Sequence, residues 1–94
     1  MSAKKTFTTA DGEKIGGKLG IKWDKFSVGE FTEGMNVELE HGLIDPVTNV
    51  TDDDPLMTGK IALAHLNEFP DYYERLEKME IEAEEFWDKQ SGND

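Results

Sequence analysis

A chain of 94 residues with a formal net charge of −11 has room for one small domain around one core. It has no cysteine, which excludes disulfides, thiolate metal sites and thiol nucleophiles. The acidic excess argues against nonspecific nucleic-acid binding, which needs phosphates to be neutralised.

The charge is uneven. Six lysines fall within residues 1–25, against Asp11, Glu13 and Asp24, and the remainder is strongly acidic. The first residues carry no apolar signal-peptide run, and no stretch approaches the roughly 18 apolar residues of a membrane span. A cytoplasmic protein with no membrane and no nucleic-acid partner is expected. The patterning predicts a single all-α domain over 1–94, a compact four-helix unit with helices at about 9–19, 28–41, 55–68 and 70–89. A long connection occupies 42–53, and 1–8 and 90–94 are expected to fray.

In the first helix Thr9 is the expected N-cap, Ile15 and Leu19 form an apolar i, i+4 pair, and Gly20 suits a left-handed C′ position that folds Ile21 back. Gly16 and Gly17 invite close approach of another backbone. In the second, Ser27 and Glu30 form a capping box and Phe26 and Phe31 the matching staple. Its apolar stripe is Val28, Phe31, Met35 and Leu39, with Glu38 at the edge, His41 toward solvent and Gly42 as C′ residue. In the connection, Asp45-Pro46 starts a turn with Val47 and Val50 packed beneath it. An EF-hand reading fails there, because Val50 stands where glycine is required and Leu56 where the closing glutamate belongs.

The third helix starts at Asp54 as N-cap and Pro55 at N1. Met57, Ile61, Ala64, His65 and Glu68 share one arc, and Leu56, Ala62, Leu63 and Leu66 cover much of the rest, which predicts a central helix. Phe69-Pro70 breaks the chain. The fourth helix carries the stripe Tyr72, Leu76, Met79, Ala83 and Phe86, a spacing read as core, with Trp87 beside it. Asp71–Arg75, Glu74–Lys78 and Glu85–Lys89 are favourable i, i+4 pairs.

The motifs VELEHG (37–42), TDDDP (51–55) and TGKIALAHLNEFPDYYERLEKME (58–80), with IGGKLGI (15–21), resemble a family of small uncharacterised proteins of bacteria, archaea and phages. The resemblance implies a helical fold and an intracellular setting. It carries no function and no catalytic residues.

Two helical pairs could bear chemistry. Glu38-Leu-Glu-His41 and His65-Leu-Asn-Glu68 each place a carboxylate and an imidazole three residues apart. That is the spacing by which helical di-metal proteins hold Zn²⁺, Fe²⁺ or Mn²⁺. A simple antiparallel pairing of helices two and three would separate His41 from His65 by roughly 15 Å along the axis. The two pairs meet only if the helices run parallel or cross steeply. The competing reading is a structural polar cluster in which Glu68 accepts hydrogen bonds from His65, Tyr72 or Tyr73 and ties helices three and four together at their corner. Tyr73, Ile81 and Trp87 are the candidate contact surface. No nucleophile–base constellation and no phosphate loop is present, so no catalytic residue is assigned. The expected role is a small acidic, non-enzymatic interaction module that binds a protein partner or itself, with no cofactor; the alternative is a metal-binding helical protein.

Overall fold

The computed structural model describes residues 6–92. It is an all-α domain of four helices, and no strand occurs among the described residues. The helices are α1 (Thr9–Leu19), α2 (Val28–Glu38), α3 (Pro55–Glu68) and α4 (Tyr72–Gly92), with a 3₁₀ turn at Leu39–His41.

Local sequence sets the helix ends. The cap of α1 is Thr8 rather than Thr9, because Asp11 completes a reciprocal box with it. Ser27 and Glu30 form the expected box on α2, and the rings of Phe26 and Phe31 stack 6.4 Å apart, both buried. Asp54 accepts from the Met57 amide at 2.8 Å and Pro55 opens α3. Gly20 ends α1 at φ 75°, and the Ile21 amide returns to the Gly16 carbonyl. Gly42, expected to be left-handed, has φ −109°. It is glycine for another reason: a Cβ there would strike the Asp53 carboxylate.

Helices α1, α2 and α3 surround the core of Phe7, Ile15, Phe26, Phe31, Met35, Leu39, Ala62 and Leu66. Phe7, inside the 1–8 segment expected to fray, is buried and exchanges hydrogen bonds with the Asn36 side chain; residues 1–5, 93 and 94 lie outside the described residues. Glycines let the helices approach. A Cβ on Gly12 would meet Thr32, one on Gly16 the Trp23 ring, and one on Gly59 would lie 2.5 Å from Ile15. Gly17 faces open space.

Three expectations about packing are corrected. The face of α3 in the core is Thr58, Gly59, Ala62 and Leu66, while Met57, Ala64 and Glu68 are exposed. The small residues won because α1 and α2 both press on that side. Val47 and Val50 are exposed on the connection, which closes through backbone bonds from Val50 and Thr51 to the His41 carbonyl and buries Thr51 instead of a valine. Finally, α4 packs on the body only by its first turns. Tyr73 is buried, Tyr72 and Leu76 are half-buried, and Met79 and Phe86 stand in solvent. A helix of 21 residues is about 32 Å long. It outruns the three shorter helices, and the described residues extend 51 × 31 × 21 Å. No helix among the described residues is long and apolar enough to cross a membrane.

Candidate functional site

The first turn of α4 meets α2 and α3 at a buried carboxylate. Glu38, in the last turn of α2, is 2 % exposed. Its Oε2 accepts the Tyr73 phenol at 2.7 Å and faces His65 Nδ1 at 2.9 Å. A carboxylate only accepts, so His65 carries its proton on Nδ1 here. The same nitrogen lies 3.1 Å from the Tyr73 oxygen, closing a three-membered polar cluster from α2, α3 and α4.

Packing holds each member in place. The Tyr72 ring stacks on the His65 imidazole at 4.3 Å and 3°. Tyr73 lies edge-on to both rings. The Tyr73 ring rests on Gly34, one helical turn before Glu38, where an added Cβ would come within 2.5 Å of Tyr73 Cε2. Gly34 thus opens the slot and Glu38 terminates it. Burial, then the hydrogen bond and charge of Glu38, keep the Tyr73 phenol protonated far above the ordinary tyrosine range. No buried side-chain nitrogen or oxygen among the described residues lacks a hydrogen-bond partner.

The corner before α4 has its own clasp. Arg75 Nε donates to Asp71 Oδ1 at 2.9 Å, and its guanidinium lies 4.3 Å over the Phe69 ring. The bond to Arg75 holds the Asp71 carboxyl below its usual range.

Of the four residues considered as ligands, the structure brings Glu38 and His65 together. His41 is exposed, with Nε2 4.0 Å from Glu38 Oε1. Glu68 is exposed and outside the cluster. Among the described residues no group of three or more histidine, cysteine, aspartate or glutamate side chains is placed to hold a metal ion. The tie between helices exists, with its carboxylate supplied by Glu38 on α2 instead of Glu68. Glu68 turns outward because the core-facing arc of α3 runs through Ala62 and Leu66. The contact also settles how α2 and α3 meet. Phe31 lies beside Gly59 and Glu38 beside His65, so the early residues of one pair with the early residues of the other. That is not the antiparallel register.

The candidate contact residues separate as well. Tyr73 is buried, so it faces no partner, whereas Ile81 and Trp87 are exposed. Sequence reasoning missed Gly34. A glycine inside a helix, one turn from a carboxylate, was the available signal for a ring entering beside Glu38.

Charge crowds the next turn of α4. Burial, with the nearby carboxylates Glu40, Glu84 and Glu77, raises the Glu80 carboxyl above its ordinary value. Glu33, Val37, Tyr73, Leu76, Glu77 and Glu80 line a groove of about 170 Å³ between α2 and α4.

No curated protein and no solved structure matches this chain. Residues 12–82 do match a family model, and that span contains Gly34, Glu38, His65 and Tyr73. The chain belongs to the family described as Protein of unknown function (DUF5661).

Proposed function

We propose that this protein is a non-enzymatic, cytoplasmic interaction module in which a small helical body presents α4 as a docking arm. One observation carries the reading. The stripe of α4 has the spacing of a core face, yet Met79 is 58 % exposed and Phe86 52 % exposed, with Trp87 beside them at 65 %. Large apolar side chains grouped on one projecting element are the usual mark of a contact surface. The polar cluster serves the same end. Glu38, His65 and Tyr73 spend their hydrogen bonds on each other, which fixes the direction in which α4 leaves the body.

Site-directed photo-crosslinking in cells tests this. A photoreactive residue at position 86 is expected to yield a discrete protein adduct, whereas the same residue at Asn67, on the exposed polar side of α3, yields none. Absence of an adduct at 86 would defeat the reading.

A further inference from the structure

The projecting part of α4 defines the chemistry of what covers it. From Met79 to Gln90 every residue except the half-buried Glu80 is exposed. Leu76, Met79, Ala83 and Phe86 follow the alternating three- and four-residue spacing of a seam that packs against another helix. Glu80 and Glu82 stand on the two sides of that seam, with Trp87 and Lys89 further along; Glu77, Glu84, Glu85 and Asp88 lie toward the back of the helix and keep the arm acidic as a whole. Among the described residues none of these carboxylates makes an ion pair. Glu80–Glu84 and Glu84–Asp88 are like-charge i, i+4 neighbours that oppose the helix. A helical segment of only about a dozen residues with no packing partner is marginal in water. Apolar seam and acidic flanks are therefore both relieved by the same kind of cover.

A second copy of α4 fits poorly. It would set the flanking Glu80 and Glu82 against the same acidic flanks of the other copy, between chains that each carry a net charge of −11. Arg75, the cation that could answer Glu80 of another copy, is engaged by Asp71. Where the seam reaches the body, the groove between α2 and α4 offers Val37 and Leu76 to an alkyl stem and Glu33, Glu77 and Glu80 to a cationic head.

We propose that the 76–86 seam of α4 docks an amphipathic helix of a partner protein that carries lysine or arginine on both sides of its apolar stripe. This rests on the interaction reading above and adds the chemistry of the partner.

The test uses the full chain and two synthetic helical peptides of about 18 residues, five turns, with one shared leucine stripe. One peptide is flanked by lysine, the other by glutamate. Binding is measured by fluorescence anisotropy at low and high salt. The lysine peptide is expected to bind one-to-one, at least about a hundredfold tighter than the glutamate peptide, with affinity falling as salt rises. The double variant Met79→Ser/Phe86→Ser keeps the charge and removes the seam; it is expected to lose at least about tenfold in affinity. Both positions are exposed, and an unchanged melting curve verifies the fold. Glu80→Gln/Glu82→Gln is expected to weaken binding and flatten its salt dependence.

Equal affinity for the two peptides, or no binding, would overturn the proposal. So would a lysine peptide that binds the serine variant undiminished, since bulk acidity would then suffice. A concentration-dependent dimer that Phe86→Ser dissolves would name a second copy as the occupant instead. A protein adduct at position 86 together with failure of the lysine peptide separates the two claims: the arm docks a partner, but not a basic helix.

Discussion

The phenol of Tyr73 donates a 2.7 Å hydrogen bond to Glu38 Oε2 across 35 residues of sequence, and that bond joins α4 to α2. Tyr73→Phe keeps the ring on Gly34 and removes the donor. It should destabilise the fold by about 1–3 kcal/mol, the usual penalty for a buried acceptor that loses a partner. Urea denaturation at neutral pH measures it.

The same residue gives the protein an alkaline limit. The folded phenol has its pKa raised above the ordinary 10.0, by burial first and by Glu38 second. A raised group supports the fold fully below its unfolded value. Above about pH 10 the unfolded chain loses this proton while the folded chain keeps it, so stability falls as pH rises. The Tyr73→Phe variant should show a shallower decline between pH 10 and 11, read from thermal midpoints. An identical slope would show that Tyr73 titrates normally.

Gly34→Ala sets two effects against each other. Alanine favours a helix interior by roughly 0.5–1 kcal/mol over glycine. Here the new Cβ would sit 2.5 Å from Tyr73 Cε2 and about 3.0 Å from two further ring atoms. The ring is buried and tied through its hydroxyl, so overpacking should win, with a net loss of about 1–3 kcal/mol. In a Tyr73→Ala background the collision is gone and the sign should reverse. A Gly34→Ala change that destabilises equally in both backgrounds would refute the slot.

The two histidines should behave differently. His65→Ala removes one of the two donors to Glu38 Oε2 and the stacking surface of Tyr72. The imidazole is partly open to water, which keeps the loss to about 1.5 kcal/mol, the low end for a bond to a charged group. His41 is exposed at the margin of the cluster, and His41→Ala should stay within about 0.5 kcal/mol of the parent. Paired urea midpoints decide it.

Glu80 should oppose the fold at neutral pH. Its folded carboxyl is raised by burial, then by Glu40, Glu84 and Glu77. A raised carboxyl contributes stability when protonated and loses it as pH climbs through its titration. Glu80→Gln should therefore raise the melting temperature at pH 7, and this gain should vanish below the ordinary value of 4.5. A gain that persists at pH 3 would locate the effect in packing rather than charge.

What the sequence by itself determined is what neighbours along the chain can decide. The Ser27–Glu30 box, the Asp54-Pro55 start, the left-handed Gly20 and the break at Phe69-Pro70 involve residues at most a few positions apart. Their geometry follows from local hydrogen bonding and backbone sterics, so the four helices were legible before any packing was known. Which face of a helix is buried is a different question, because the answer belongs to another helix. Glu38 and Glu68 are both glutamates one helical turn from a histidine or beside one. Only the approach of α4 over Gly34 made Glu38 the buried partner and left Glu68 in water. The stripe of α4 read as core along its whole length. The body ends near Leu76 because α1 and α2 span only 11 residues each and α3 only 14, so Met79 and Phe86 stand exposed among the described residues. Periodicity shows that a face is apolar; the size of the neighbours decides whether the same chain buries it.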